Sequence, residues 1–210
     1  MSTHSQARIE PFLPSEWGNT ELEALGAFPA PMNNVLAGWR ENRVIPGAFA
    51  VCTFAHHPAM AKAFLTFNAY AAKGSTLSPR TCELLILRLS WLLKCEYAFV
   101  RHIAAGKRAG MSDEDIERIQ AGPDAPGWDS FDADLLRAVD EMQRDTCISD
   151  ATWARLAARL DTQQLLDLIF VVGCYWSVSM MMNNCHLPLE ASATPLPADA
   201  RARMLGSTMP

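Results

Sequence analysis

The stretch that decides the fold is PRTCELLILRLSWLLKCEYAFVRHIAAGKRAGMSDEDIERI, residues 79–119. Ser78 and Pro79 predict that a helix begins here, because Ser is a favourable N-cap and Pro fits the first helical position. The residues that follow are apolar on nearly every side of such a helix. A helix with this pattern is buried, either in a core or in a subunit interface.

The segment is too long to be one ordinary helix. A single helix over residues 79–109 would be about 45 Å long, at roughly 1.5 Å per residue. We therefore expect a break near Lys94, although neither Gly nor Pro marks it. Gly110 ends the second part of the segment. Ser112 lies three residues ahead of an Asp, which resembles a capping box that begins another short helix at residues 113–119.

The spacing of the polar residues depends on that break. Cys95, Ala98 and His102 share one helix face, since they lie three and four residues apart. Glu83 would lie roughly a third of a turn away, and it could join this face only through a bend. A Cys that begins the second segment would also feel the positive end of the helix dipole, which lowers the pKa of a thiol.

These residues carry a resemblance to a known family. The spacing of Glu83, Cys95, Ala98 and His102, followed by Ala-Gly-Lys-Arg-Ala-Gly-Met-Ser, resembles the carboxymuconolactone decarboxylase and alkylhydroperoxidase D-like superfamily. In its peroxidase branch a Glu is followed by a Cys after twelve residues, a second Cys after three and a His after four. Here Ala98 stands where that branch places its peroxide-attacking Cys, so the redox pair is missing. The decarboxylase branch lacks the cysteines and keeps a His with nearby carboxylates, and this chain resembles it more closely.

The resemblance is strongest over residues 77–119 and looser through residues 55–190. It implies an all-α fold, an alkylhydroperoxidase D-like helical bundle, assembled as a ring-like homo-oligomer (a trimer or hexamer). We divide the chain into a Pro-interrupted N-terminal arm at 1–30, a helical domain at 31–190 and a C-terminal tail at 191–210. We expect the tail to pack loosely.

The hydrophobic pattern agrees with an all-α fold, because no segment shows the alternation of a β-strand. It predicts further helices at residues 34–43, 59–72, 130–144, 150–160 and 163–185.

Composition excludes several classes of function. The 210 residues suit one domain, half of them are apolar, and the net charge is −5 at pH 7. Because no Lys/Arg-rich block occurs, we expect no nucleic-acid partner. No uninterrupted apolar run predicts a transmembrane helix, and the N-terminus does not resemble a secretory signal, so we expect a cytoplasmic protein. The six cysteines (52, 82, 95, 147, 174 and 185) form no disulfide-style framework, and we expect reduced thiols.

His102 is the strongest candidate for catalysis, because a neutral imidazole exchanges protons near pH 7. Glu83 would orient it, and Glu96 or Tyr97 would assist. Cys95 is a candidate nucleophile or redox thiol. Each also fits a structural role: a core His bonded to a carbonyl, a Glu in a salt bridge or in water, a buried Cys.

Arg80, Arg88 and Arg101 are candidates for holding a carboxylate substrate in a forked contact. Trp91 completes the predicted substrate-binding set. Cys95 with His102, and the adjacent Cys185-His186, do not form a metal-binding pattern, and no phosphate-binding loop occurs, so we expect neither a metal nor a cofactor.

Three hypotheses about function follow. The first is a decarboxylase-like enzyme that performs cofactor-independent acid–base chemistry, decarboxylation or isomerisation, on a small cyclic or aromatic-derived acid, lactone or enone. The second is a thiol-dependent hydroperoxide reductase that uses Cys95. The third is a non-catalytic ligand-binding oligomer on the same fold.

Overall fold

The computed structural model describes residues 7–206, and this part of the chain contains eleven α-helices and no β-strand. The predicted all-α fold is therefore confirmed. The chain forms two compact units. Unit 1 comprises the residues up to Gly74 together with Met181–Pro195, and unit 2 comprises Ser75–Met180 together with the residues from Leu196 onward.

Unit 1 is built from four helices and one π-helical turn: α1 (Asn19–Leu25), α2 (Pro29–Arg40), α3 (Ala48–Phe54), α4 (Pro58–Ala69) and the turn Tyr70–Gly74. Leu25, Val51 and Phe54 are among the buried residues of its core. The start of α3 is held by a distant side chain, because the Phe49 N–H donates to Glu190 Oε1 at 2.9 Å and Glu190 is buried.

The predicted N-terminal arm is more ordered than we expected. Leu25 at the end of α1 is fully buried, so this segment contributes to the core of unit 1. The prolines that we took as interruptions begin helices instead: Pro14 opens a 3-10 turn and Pro29 opens α2. The reason is that the fixed φ of Pro suits the first helical position. Residues 1–6 of the arm lie outside the described residues.

Unit 2 contains the segment that we quoted first. Its helices are α5 (Pro79–Leu92), α6 (Glu96–Arg108), α7 (Asp113–Ala121), α8 (Ser130–Asp145), α9 (Asp150–Ala157), α10 (Thr162–Cys185, whose last turn belongs to unit 1) and α11 (Ala198–Gly206). Ser78 caps α5 as predicted, since its hydroxyl accepts the Thr81 N–H at 3.0 Å. Every residue from Leu84 to Leu92 is buried, so α5 is the central helix of this unit.

The predicted break near Lys94 is confirmed, and its geometry is specific. Lys94 adopts a left-handed conformation with φ of 54°. The Lys94 N–H donates to the Trp91 carbonyl at 3.0 Å, and the Cys95 N–H donates to the Ser90 carbonyl at 2.9 Å. This is a Schellman motif, which normally has Gly at the left-handed position. The turn reverses the chain, so that α6 packs against α5.

The long helix α10 is apolar enough to cross a membrane by length and composition, with a mean hydropathy of 1.8. This differs from our expectation, which rested on Asp167 interrupting the apolar run. One such helix is weak evidence of a membrane span, because the core helix of a soluble protein passes the same test, and 56% of the window is buried inside the protein. Asp167 is itself buried and accepts both the N–H and the hydroxyl of Thr76, at 2.6 and 2.7 Å.

The C-terminal tail also differs from our expectation, because part of it folds as α11. Met204 of this helix is fully buried. Arg201 of α11 donates to Glu96 Oε2 at 2.7 Å, which ties the tail to the first turn of α6. Burial of an apolar side chain and a charge-assisted hydrogen bond together hold a segment that the sequence pattern did not identify as a helix.

Candidate active site

The central feature of unit 2 is a hydrogen-bonded pair of Glu83 and His102. Glu83 Oε2 lies 2.8 Å from His102 Nδ1. The two side chains are 16% and 17% exposed, so the pair is mostly shielded but still reaches solvent. Glu83 belongs to α5 and His102 to α6, and the turn at Lys94 brings the two helices together. The bend that we required for Glu83 to approach His102 is therefore present.

The bond to Glu83 determines which nitrogen of His102 is available for chemistry. An ionised carboxylate can only accept a hydrogen bond, so Nδ1 carries the hydrogen that Glu83 receives. In the neutral imidazole Nε2 is then the acceptor with a free lone pair. A His held in this way is suited to take a proton at Nε2 and to return it, which is general acid–base chemistry.

A third helix contributes Tyr175, which the sequence analysis did not select. The centroids of the His102 and Tyr175 rings lie 5.0 Å apart, and the ring planes make an angle of 88°. Tyr175 is nearly buried within α10. The available signal was a Tyr inside an otherwise apolar helix, since a phenol in such surroundings usually has a specific partner.

Cys95 lies at the N-cap of α6, as predicted, but in an environment that does not favour a thiolate. Its side chain is fully buried. Burial raises the pKa of the Cys95 thiol to about 11, and the nearby polar groups of Ala98 and Ser179 offset this only in part. Our expectation of a lowered pKa is therefore wrong, because desolvation outweighs the helix dipole at this position.

We expect the Cys95 thiol to react with iodoacetamide at pH 8 at least about 100-fold more slowly than a free cysteine, since few molecules carry its thiolate and the sulfur is shielded. Cys147 is exposed and serves as the control within the same chain. The measurement is peptide mass spectrometry over a time course, with a denatured sample in which both thiols react. Equal rates for Cys95 and Cys147 in the folded protein would contradict this expectation.

Glu96 and Tyr97 lie on other faces of α6. At about 100° per residue they are turned roughly 120° and 140° from His102. Glu96 is bound by Arg201 at 2.7 Å, and Tyr97 is buried. On α6, neither Glu96 nor Tyr97 therefore lies on the face that carries His102.

Two of the three candidate arginines are bound to carboxylates of this chain. Arg80 Nη1 lies 2.6 Å from Asp132 Oδ2. Arg88 makes a forked contact with Asp140, with Nε–Oδ1 and Nη2–Oδ2 distances of 2.6 and 2.7 Å, and it donates to the Ile119 carbonyl at 2.8 Å. The forked geometry that we predicted for a substrate is thus occupied by the protein itself at Arg88.

Arg101 differs from the other two arginines. It is exposed, it adjoins His102 on α6, and its side chain has no ion pair among the residues 7–206. Trp91 is nearly buried and packs at 5.4 Å against Phe99, so it belongs to the core of unit 2. Of the three candidate arginines, Arg101 is the one that is exposed, and it directly precedes His102, about 100° from it around α6.

The Glu83–His102 site contains no cluster of metal-ligating side chains among the described residues, and the cavity found in unit 1 lies elsewhere. Within the described part of the chain no three His, Cys, Asp or Glu side chains come together in a group that could hold a metal. A small surface cavity occurs in unit 1, and its lining includes Val35, Trp39 and Cys52. Glu83, His102 and Tyr175 are not among its lining residues.

The all-α fold places the Glu83–His102 pair on two packed helices, α5 and α6. Residues 58–141 match the carboxymuconolactone decarboxylase family, a segment that includes Glu83, Cys95 and His102. This segment belongs to the carboxymuconolactone decarboxylase and alkylhydroperoxidase D-like superfamily, and the predicted superfamily is confirmed.

Comparison with solved structures supports the same fold. A crystal structure of a protein of unknown function from Agrobacterium tumefaciens, with a proposed role as the antioxidant defence protein AhpD, is similar with a TM-score of 0.61. The similarity covers 65% of this chain and 94% of that chain, at 18% sequence identity. No curated protein matches the chain.

Proposed function

We propose that this chain is a carboxymuconolactone decarboxylase-like enzyme that performs cofactor-independent acid–base chemistry. Its substrate is a small cyclic or aromatic-derived acid, lactone or enone. The observation that carries the proposal is the 2.8 Å bond between Glu83 and His102, in a pair that is shielded and still reaches solvent. Such a pair supplies one proton acceptor with a defined tautomer, which is the minimum that proton transfer beside a carbonyl requires.

The roles divide among three residues. His102 takes a proton at Nε2 from the carbon beside a carbonyl, or returns one to the carbanion that loss of CO2 leaves behind. Glu83 orients the imidazole through Nδ1 and stabilises the imidazolium while it exists. Arg101 binds the carboxylate of the substrate, because its guanidinium is exposed next to His102. Glu96, Tyr97 and Cys95 take no part in this step.

A thiol-dependent hydroperoxide reductase is the second candidate. It is favoured by the Cys95 position and by the proposed antioxidant role of the similar Agrobacterium tumefaciens protein. It requires a reactive thiolate, and burial raises the pKa of Cys95. It also requires a resolving thiol, since Ala98 occupies the position of the second Cys. A non-catalytic role, in which Glu83 and His102 are only a structural pair, is the third candidate.

Two assays on the purified protein distinguish these functions. The first incubates cyclic acids, lactones and enones with the protein in D2O, and NMR follows deuterium incorporation beside the carbonyl and loss of CO2. The second measures hydroperoxide consumption with excess dithiol, comparing the unmodified protein with Cys95→Ser. We expect turnover in the first assay and none in the second. Hydroperoxide activity that Cys95→Ser abolishes would favour the reductase, and inactivity in both assays would favour the non-catalytic role.

We also propose that the protein is a homo-oligomer, a trimer or hexamer, assembled through the outer face of α10. The exposed apolar residues of unit 2 on this helix lie on one face at helical spacing: Leu166, Ile169, Phe170 and, about three turns further on, Met180. Gly173 lies on the same face, and a side chain added there would meet nothing within 4 Å. A continuous apolar patch of this kind marks an interaction surface.

Leu166→Glu is expected to reduce the mass of the assembly, because a charge would have to be buried in the contact. The measurement is size-exclusion chromatography with light scattering. Ala154→Glu is the matched control, since it adds the same charge at an exposed position of α9, outside this face, and should leave the mass unchanged. An unchanged mass for Leu166→Glu would show that this face is not the subunit contact.

A further inference from the structure

His102 is held at only one atom by Glu83, which does not fix the plane of its ring. The hydrogen bond between Nδ1 and Oε2 and the covalent link at Cγ still allow small rotations of the imidazole about χ1 and χ2. The Tyr175 ring restricts this motion, because it lies edge-to-face with the imidazole at 5.0 Å and 88°. This arrangement is one that aromatic quadrupoles favour.

Tyr175 is well placed to act as a fixed reference for the imidazole. Its side chain is 7% exposed. Val171 and Val178, one turn before and after it on α10, are buried to the same degree or more. Side chains in a close-packed interior occupy single rotamers, so the Tyr175 ring has little freedom of its own. His102 therefore meets a rigid surface on one side and a hydrogen-bond acceptor on the other.

We propose that Tyr175 is a positioning residue for His102: its ring holds the imidazole in one orientation, with Nδ1–H on Glu83 and Nε2 left as the proton acceptor. The proposal rests on the acid–base function given above and deepens it. The ring carries the effect, so Tyr175→Phe retains it and Tyr175→Leu loses it. A proton acceptor that samples several orientations spends less time aligned with the substrate, and the rate falls accordingly.

The experiment is NMR of protein labelled with ¹⁵N-histidine, for the unmodified chain, Tyr175→Phe and Tyr175→Leu. Ring ¹⁵N shifts report the tautomer of His102, and proton NOEs between the two rings report their contact. We expect a single Nδ1–H tautomer and inter-ring NOEs in the unmodified chain and in Tyr175→Phe. In Tyr175→Leu we expect the same tautomer, because Glu83 sets it, but greater mobility of the His102 ring in its ¹⁵N relaxation, and on a substrate from the D2O assay a kcat on the order of 3- to 10-fold lower with KM unchanged.

Unchanged mobility of the His102 ring in folded Tyr175→Leu would overturn the proposal, and so would equal effects of Tyr175→Phe and Tyr175→Leu. If Tyr175→Leu does not fold, the unmodified chain still tests the proposal. Absence of NOEs between the His102 and Tyr175 rings would overturn it, because rings at this distance should show them. Failure of the proposed function would be seen separately, as an unmodified chain that turns over no substrate in the D2O assay. The NMR comparison would still show whether Tyr175 orders the His102 ring.

Discussion

Arg88→Met is expected to lower the free energy of unfolding by about 3–5 kcal/mol, because it leaves the Asp140 carboxylate shielded and without its partner. Arg88 is 7% exposed, and the Asp140 side chain is 16% exposed. The two groups share two hydrogen bonds of 2.6 and 2.7 Å. Removing one member of a buried ion pair costs far more than the pair contributes in net stability, since the remaining charge is desolvated.

The measurement is urea unfolding followed by circular dichroism. Arg137→Met is the matched control, because Arg137 pairs with Asp124 at a similar distance, 2.9 Å, but that carboxylate is 83% exposed. An exposed pair contributes roughly 0–1 kcal/mol. Replacing both partners, Arg88→Met with Asp140→Leu, should recover much of the loss. If Arg88→Met lowered the free energy of unfolding no more than Arg137→Met does, the Arg88–Asp140 pair would not behave as a buried ion pair.

The Arg88 side chain also sets how the helices of unit 2 are held together. Arg88 lies on α5 and donates to the carbonyls of Ile119 and Gln120 near the end of α7, while its forked contact reaches Asp140 on α8. It thus fixes two helices of unit 2, α7 and α8, against α5, the helix that carries Glu83. An arginine that we selected as a substrate ligand is used to hold the scaffold instead.

The sequence was sufficient where the determinants are local. The cap at Ser78 is confirmed, and so are the stop at Gly110, where φ is 92°, and the capping box at Ser112. Each of these signals depends on residues within one turn of one another, so the pattern of side chains contains all the information. The same holds for the all-α fold, because helical periodicity is a property of short segments.

The sequence was insufficient where the partner is distant along the chain. Nothing around Arg88 indicates Asp140, which lies 52 residues away. Tyr175 and His102 are brought together by tertiary packing, and the sequence pattern of α10 does not reveal that contact. Lys94 is a different case, since a left-handed turn at a non-Gly residue costs energy that packing of α5 against α6 must offset.

His102→Gln is expected to lower kcat by about 10²–10⁴-fold on any substrate found in the D2O assay, because the amide cannot accept and return a proton. KM should change little, since the carboxylate ligand that we propose is Arg101 and not His102. Glu83→Gln should have a smaller effect, because a neutral amide can still orient the ring but stabilises the imidazolium less. The measurement is steady-state kinetics, with the unfolding midpoint of each variant recorded alongside.

His57→Asn is the matched control for His102→Gln. His57 is exposed and caps α4 by accepting the Met60 N–H at 3.3 Å, a function that Asn also performs. It should leave kcat unchanged. If His102→Gln retained more than a tenth of the activity while folding normally, proton transfer at Nε2 would not be the chemical step. If Glu83→Gln were as inactive as His102→Gln, the carboxylate would itself be the base, and the imidazole would only position it.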